Sequence, residues 1–292
     1  MAKRPPAART AFGPTMFAAV EQYFPETQRI TEDELAIRFL PPGIRLLTWM
    51  CKWRFPRTLI GNGIERQIPG IWGSMAARKR YADDKVTEAL DAGIGQVVIL
   101  GAGLDTRAYR LVAPAGVPAF EVDLPSNIAY KERRLRAIYG REPEHVTLIP
   151  VDFETDSLAD SLTTNGFRLE KSTMFVWEAV TQYLTEDGIR RTLAFLAKAA
   201  AGSRLIFTYV RKDFLDGKNF YGFEKGYREW VVKQRMWRFG IDPEDVDDLL
   251  REYGWTEREQ VGPSEYVARY FRPAGRDLTA SEIERFVYAE KL

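Results

Sequence analysis

Short apolar runs alternate with longer amphipathic stretches through the middle of the chain. Five runs are typical of buried strands and cover residues 96 to 103, 118 to 123, 146 to 153, 173 to 180 and 204 to 210. Stretches with helical spacing separate them at about residues 126 to 139, 156 to 164 and 185 to 200. This alternation predicts an α/β sheet whose parallel strands are joined by right-handed crossovers.

The chain before the first strand has a different pattern. Residues 15 to 94 are rich in aromatic side chains and contain no strand-like run, which favours helices. We therefore expect residues 1–75 to form an N-terminal helical cap or lid within the same domain. Residues 76–292 would then form the core.

The last third of the chain also departs from the alternation. Residues 211 to 253 are charged and aromatic, and we expect residues 211–240 to be a helical insertion after the fifth strand. Two edge-like runs, residues 256 to 261 and 266 to 271, predict an antiparallel hairpin. The expected fold is a doubly wound, Rossmann-like α/β sheet, mostly parallel with an antiparallel edge hairpin.

Composition excludes several kinds of partner and chemistry. With 42 Lys and Arg against 41 Asp and Glu, the formal net charge is +1, so we expect neither a nucleic acid nor a membrane partner. Cys51 is the only cysteine, which excludes an internal disulfide and favours a cytoplasmic protein. His145 is the only histidine, so a zinc site is not expected and we predict no metal.

The end of the first predicted strand carries small residues, Gly101, Ala102 and Gly103, which would let a ligand lie against the backbone. They could also serve only to make a tight turn. Asp123 ends the second strand, 20 residues beyond Gly103, at the separation where a carboxylate accepts hydrogen bonds from a ribose diol. The alternative is that Asp123 caps the helix that begins after Pro125.

The residues after the glycines argue against a dinucleotide. Thr106 stands where a third glycine would be, and the nearby carboxylate of Asp105 would repel a pyrophosphate but tolerate a cofactor with a sulfonium and an ammonium group. Asp152 and Phe153 end the third strand, where they could contact an adenine amino group and ring. They could equally be a helix cap beside a core aromatic residue.

Glu178 interrupts an apolar run at the end of a predicted central strand. A buried carboxylate is costly unless it is paired, so we expect a cofactor cation beside it, with a structural arginine as the alternative. Arg78 could bind a cofactor carboxylate as a fork. Arg80 competes for that role, and both could lie on a solvated helix face.

Taken together and in this order, several strings resemble the leucine carboxyl methyltransferase family, especially its bacterial S-adenosylmethionine-dependent branch. The strings are "VVILGAGLDTRAYRL", "FEVDLP", "PVDF", "WEAVTQYL", "RPAGR" and "ERFVYAEKL". The resemblance covers roughly residues 75 to 292. It implies a methyltransferase that uses S-adenosyl-L-methionine as cofactor, with contacts from Arg78, Gly101, Asp123, Asp152, Phe153 and Glu178.

The resemblance does not identify the methyl acceptor, since the family acts on a protein C-terminal carboxylate, on natural products or on unknown acceptors. A carboxylate acceptor is already ionised near neutral pH and needs no general base, which favours it in a chain with one histidine. A hydroxyl acceptor would need a base, for which the candidates are Tyr183, Tyr209 or an unidentified carboxylate. Tyr221 and Tyr227 are candidates for substrate binding, unless they are ordinary packing residues.

The leading expectation is thus O-methylation of a carboxylate or hydroxyl group on a hydrophobic small molecule or natural product. The main alternative is carboxyl methylation of a protein C-terminus. Two other classes remain open, an NAD(P)-dependent oxidoreductase on the same fold and a noncatalytic adenosyl-binding protein.

Overall fold

The computed structural model describes residues 10–141 and 143–292, which form a seven-stranded sheet. The strands are β1 (Gln96–Leu100), β2 (Ala119–Asp123), β3 (Val146–Pro150), β4 (Thr173–Trp177), β5 (Arg204–Val210), β6 (Trp255–Val261) and β7 (Glu284–Lys291). Their order is β3-β2-β1-β4-β5-β7-β6. The first five run parallel, and β7 is antiparallel to both β5 and β6. The expected doubly wound, mostly parallel sheet with an antiparallel edge is confirmed.

The centre of the sheet explains the continuous apolar runs. Every residue of β1, β2 and β4 is buried, because helices cover both faces of this part of the sheet. Val98 of β1 is paired with Phe120 on one side and with Phe175 on the other. The strand order therefore reverses at β1, and a crevice opens beyond the carboxyl ends of β1 and β4.

Helices precede, connect and follow the parallel strands. Before the sheet lie α1 (Phe12–Glu21), α2 (Ala36–Phe39), α3 (Pro42–Met50), α4 (Arg54–Gln67) and α5 (Ile71–Asp91). The crossovers contain α6 (Pro125–Tyr139), α7 (Leu158–Thr164) and α8 (Glu186–Leu196). The last part of the chain contains α9 (Lys212–Leu215), α10 (Glu224–Gly226), α11 (Val246–Glu252) and α12 (Pro263–Tyr266). Among the described helices, none has the length and apolar character needed to cross a bilayer.

Three further segments are wound more widely, as π-helices. They are Ala108–Val112 after β1, Tyr227–Lys233 directly after α10, and Val267–Phe271 directly after α12.

The helical cap and the core share α5. The boundary expected between residues 75 and 76 falls inside this helix. Phe17 of α1 packs edge-on against Trp72 of α5, with 5.0 Å between the ring centroids. The indole nitrogen of Trp72 also donates to the buried carboxylate of Glu21 at 2.8 Å. The cap is therefore anchored on a helix that continues along the sheet.

The predicted edge hairpin was wrong in its second strand. Residues 256 to 261 do lie in β6, but residues 266 to 271 are helical, and the partner of β6 is β7. Pro263 occupies the first turn of α12, a position that favours helix initiation. Val267 and Phe271 are four residues apart, which places both on one helical face, and Phe271 is fully buried. Helical spacing thus fits this run better than alternation does.

Candidate functional site

The turn after β1 brings bare backbone to the crevice. Gly101 and Gly103 have φ angles of 72° and 46°, in the region that favours glycine. The amides of Gly101 and Ala102 both donate to the carbonyl oxygen of Val122, at 2.7 and 3.0 Å. A Cβ atom on Gly101 would lie 2.2 Å from a methyl carbon of Val180. Only glycine therefore lets this turn pack against the segment that follows β4.

Asp123, the last residue of β2, holds the glycine turn in place. Its carboxylate accepts hydrogen bonds from the amides of Gly103 and Leu124, at 2.5 and 2.6 Å, and from the Asn127 side chain at 2.8 Å. Burial raises the pKa of Asp123, against the effect of these hydrogen bonds. The carboxylate thus ties the glycine turn to the first turn of α6. Its contact with a ribose stays a prediction.

Asp152 and Phe153 lie just beyond β3. The Asp152 carboxylate accepts a hydrogen bond from the amide of Glu154 at 3.0 Å, which shapes the turn. Phe153 is mostly buried and packs in the core cluster that covers one face of the sheet. Both residues border the same cavity as the glycine turn. Their contact with an adenine ring stays a prediction.

Glu178 follows β4 and is enclosed by cations of the protein itself. Its carboxylate accepts from Nε of Arg78 at 2.8 Å and from Nη1 of Arg107 at 2.7 Å, and it lies 3.7 Å from the Lys79 ammonium. Arg78 also donates to both oxygens of Glu284, at 2.8 and 3.0 Å. The arginine alternative for Glu178 is therefore observed, and Arg78 is already engaged on two carboxylates.

The cations around Glu178 favour its ionised form. Burial alone would raise the pKa of Glu178, but Lys79, Arg107 and Arg78 hold it below its usual range. Arg107 is held in turn by Asp105 and by Asp83, whose carboxylate accepts from its Nε at 2.6 Å. The result is a buried network of alternating charges beside the glycine turn.

These groups surround one cavity of 740 Å³, within the range of small-molecule sites. All the residues expected to bind a cofactor line it, namely Arg78, Gly101, Ala102, Gly103, Asp123, Asp152, Phe153 and Glu178. Many of its other lining residues are apolar and come from outside the sheet. They include Phe17, Ile68, Ile71, Met75, Phe223, Trp230, Trp237, Tyr266 and Ile283. The cavity therefore has a polar floor and walls that are mostly apolar.

The two tyrosines considered as bases occupy different places. Tyr183 lines the cavity, and its hydroxyl lies 3.2 Å from the Thr10 hydroxyl. Tyr209 lies within β5, and its hydroxyl donates to Gln260 of β6 at 2.7 Å. Burial raises the pKa of both tyrosines, so both are protonated at neutral pH. Of the pair, only Tyr183 reaches the cavity.

The insertion reaches the cavity through other aromatic residues than those expected. Tyr221 donates a hydrogen bond to Asp213, and Tyr227 packs on Phe214 with 5.8 Å between ring centroids. Neither tyrosine is part of the cavity wall. Phe223 and Trp230 line it instead, with their rings 5.1 Å apart, and both belong to the same aromatic run of the sequence.

Sequence reasoning missed the basic partners of Glu178. Arg107 follows the glycine turn in the string "LDTR", and Lys79 is next to Arg78. Glu284 opens the last strand, 206 residues beyond Arg78. The buried position of Glu178 signalled that a cation was needed, but not which one. Among the described residues, no group of His, Cys, Asp and Glu side chains is arranged to hold a metal ion.

A family model and several known proteins match this chain. The model of the family "Leucine carboxyl methyltransferase" matches residues 11–197. A relative from Mycolicibacterium gilvum is 33% identical over 62% of this chain and 62% of its own length. One from Mycolicibacterium smegmatis is 33% identical over 75% of this chain and 76% of its own length. Both are provisionally named S-adenosyl-L-methionine-dependent methyltransferases.

Two solved structures share the fold. A DUF574 family protein from Streptomyces avermitilis has a TM-score of 0.58 and 14% identity, over 96% of this chain and 97% of its own. A protein from Thermobifida fusca, provisionally named a methyltransferase, has a TM-score of 0.57 and 15% identity, over 100% of this chain and 99% of its own. At such identities the likeness concerns the fold alone.

Proposed function

The chain belongs to the leucine carboxyl methyltransferase family of S-adenosyl-L-methionine-dependent methyltransferases, and from this premise we propose that it methylates an oxygen of a hydrophobic small molecule. The observation that carries the proposal is the cavity, whose polar floor faces apolar walls. A polar floor suits a charged cofactor, and apolar walls suit a hydrophobic acceptor. Natural products with a carboxylate or hydroxyl group are the proposed acceptors.

The residues on the floor fit the cofactor. The glycine turn borders the cavity without large side chains, so a ligand can lie against its backbone. Asp123 and Asp152 end neighbouring strands and can accept hydrogen bonds from a ribose and an adenine amino group. Phe153 offers an apolar surface to the adenine ring.

The amino-acid end of the cofactor would meet the Arg78 and Glu178 pair. Its carboxylate complements the guanidinium and its ammonium complements the carboxylate. In the structure these two side chains satisfy each other at 2.8 Å, and Glu178 keeps Arg107 as a second partner. Binding would therefore exchange one ion pair for two, without leaving a buried charge unpaired.

Bound S-adenosylmethionine supplies an electrophilic methyl group on a sulfonium. The chain's contribution is to exclude water and to align the acceptor oxygen with that methyl group. Phe17 of the cap and Trp230 of the insertion can do so, because each forms part of an apolar wall.

A carboxylate acceptor agrees better with the side chains near the cavity than a hydroxyl does. Tyr183 is protonated, so it can donate a hydrogen bond but is a poor base. Glu154 also lines the cavity. Burial would raise the pKa of Glu154, but hydrogen bonds from Thr185 lower it, which makes this carboxylate a weak base too. A carboxylate acceptor needs no base.

The test is transfer of a labelled methyl group from S-adenosyl-L-methionine into apolar small-molecule extracts and, in parallel, into peptides with free C-termini. We expect label in an apolar small molecule, released as methanol by mild alkali because a methyl ester is formed. Alkali-stable label would indicate a hydroxyl acceptor. Label in the peptides alone would contradict the proposal, as would binding of NAD(P) instead of S-adenosyl-L-methionine.

Matched variants separate the acceptor site from the cofactor site. Trp230→Ala removes a cavity wall, and we expect it to reduce transfer by about tenfold or more because alignment is lost. Its affinity for S-adenosyl-L-methionine, measured by calorimetry, should stay close to that of the wild type. Tyr221→Phe in the same insertion is the control, since Tyr221 lies outside the wall.

A further inference from the structure

The outer surface of the cap carries an unusual concentration of exposed apolar side chains. Of ten large hydrophobic residues that are exposed in the described chain, seven lie between residues 46 and 59. They are Leu46, Leu47, Trp49, Met50, Trp53, Phe55 and Leu59. We call them, together with Lys52 and Arg54, the cap patch. Contiguous exposed apolar surface of this kind marks an interaction site.

The helices that carry the cap patch are fixed by their other faces. Ile44 of α3 packs against the cluster that contains Leu40. Ile60 and Ile64 of α4 pack against the cluster that contains Phe17 and Trp72. The exposed side chains thus lie on helices that already pack against the rest of the cap through other, partly buried apolar residues, and packing within the described chain does not account for them.

The charge of the segment that carries the cap patch indicates what kind of partner suits it. From residue 35 to residue 64 the sequence contains five Arg or Lys residues and no Asp or Glu. Lys52 and Arg54 flank Trp53 in the sequence, are exposed, and make no ion pair with any described residue. This segment is therefore strongly cationic although the whole chain is nearly neutral. The expectation of no membrane partner rested on net charge, which does not reveal such a local excess.

We propose that the cap patch docks the protein on the surface of an anionic lipid bilayer. Tryptophan side chains favour the level of the lipid headgroups. Trp49 and Trp53, which contact each other with 4.7 Å between ring centroids, would lie at that level. Phe55 and Leu59, 79% and 64% exposed, lie one turn apart on α4 and would enter the acyl boundary. Lys52 and Arg54 would meet the anionic headgroups.

A second copy of the chain fits this surface less well. In a twofold dimer the same patch faces itself, which would bring Lys52 and Arg54 of one copy towards those of the other. Like charges at a desolvated interface repel each other. Anionic lipid complements both the apolar and the cationic parts of the patch.

The test is co-sedimentation of the full chain with large vesicles. We expect binding to vesicles of equal parts phosphatidylcholine and phosphatidylglycerol, little binding to phosphatidylcholine alone, and release by salt. Lys52→Glu with Arg54→Glu should lower the bound fraction at least about tenfold, since each basic residue near the surface is worth about 1 kcal/mol. Trp53→Ser with Phe55→Ser should weaken binding similarly.

The control is Lys171→Glu with Lys198→Glu, which changes the net charge equally at two exposed positions outside the cap. It should bind like the wild type, and circular dichroism should show that all variants are folded. Absence of wild-type binding would overturn the proposal. So would equal loss in the control, or cap-patch variants that convert a dimer to a monomer without changing sedimentation. The assay involves no methyl transfer, so its outcome is independent of the proposed function.

Discussion

Glu178 shows how a charge beside the proposed cofactor site can be balanced by the protein. The side chain is only 7% exposed, and Arg78 and Arg107 are 5% and 1% exposed. A buried ion pair adds little over an apolar pair of the same shape, but removing one partner leaves an uncompensated charge. The network therefore makes Glu178 important for stability even before cofactor binds.

We expect Glu178→Gln to lower the free energy of unfolding of the cofactor-free protein by about 3–5 kcal/mol, because Arg78 and Arg107 lose their shared carboxylate. Urea unfolding measures this. The matched control is Glu170→Gln, since Glu170 forms an ion pair with Arg168 in which both side chains are at least 66% exposed. That pair is worth at most about 1 kcal/mol. Equal effects of the two variants would refute a stabilising role for the buried network.

Another buried carboxylate, that of Glu121, lies in β2 and is not part of the cavity lining. Glu121 is fully buried, accepts from the Lys131 ammonium at 2.7 Å and accepts from the Tyr109 hydroxyl at 2.6 Å. Burial raises the pKa of Glu121 to about 7, although Lys131 and Tyr109 oppose the shift. The folded chain thus holds this proton more tightly than the unfolded chain does.

The sign of the pH dependence follows from that difference. The stabilising contribution of Glu121 is complete below its unfolded pKa, near 4.5, and is lost as the pH rises through about 7. In Glu121→Gln this decline should disappear from the unfolding free energy measured between about pH 5 and about pH 8. Glu170→Gln should retain it. An unchanged pH profile in Glu121→Gln would show that another group is responsible.

The packing of α5 depends on a residue without a side chain. A Cβ atom on Gly73 would lie 2.1 Å from the backbone oxygen of Thr279 and 3.0 Å from the Phe271 ring. Alanine favours a helix over glycine by about 1 kcal/mol, but forcing atoms into a packed interface costs about 1–3 kcal/mol or more. We expect the clash to dominate, so Gly73→Ala should lower the melting temperature.

Gly63 in α4 provides the contrast, because a Cβ atom there would meet no atom within 4 Å. Gly63→Ala should therefore leave the melting temperature unchanged or raise it by the helix propensity. If Gly73→Ala also raised the melting temperature, propensity rather than the close approach would control α5.

The elements that sequence predicted well are those whose pattern is set by local burial. The run at residues 204 to 210 coincides with β5, because a strand buried on both faces is apolar throughout. Residues 266 to 271 were misread, since a short apolar run fits either period. β7 was not predicted as a strand. Its place between β5 and β6 depends on pairing with distant segments. The short-range pattern of apolar and polar residues carries no information about such pairing.

The candidate site shows the same limit over longer distances. Strand ends could be predicted to converge, because parallel strands share an edge, and Gly101, Asp123 and Asp152 do line one cavity. The contacts of Glu178 with Arg78 and Arg107 span 100 and 71 residues, and no periodicity links such positions. Side-chain partners in a folded core therefore require the three-dimensional arrangement.

The three-dimensional arrangement also predicts which segments are stabilised by ligand binding. The cavity walls come from separate stretches, residues 10–17 and 68–79 of the cap and residues 223–238 of the insertion, which face each other across the cavity. A ligand present at about one hundred times its dissociation constant stabilises the folded chain by about 2.7 kcal/mol. Each stretch should open less often when the part of the cavity that it borders is filled, whereas the strands are already buried and should change less.

Hydrogen exchange with and without S-adenosylhomocysteine, the demethylated product of the cofactor, tests this. We expect exchange to slow most at the part of α5 around Arg78 and at residues 101–103, which border the polar floor, and to slow less at residues 255–261 of β6, far along the sheet. Residues 223–238 should respond only weakly until an acceptor is added, because they line the apolar wall. Equal slowing at all residues would mean that ligand binding suppresses only global unfolding and gives the cap no additional local protection.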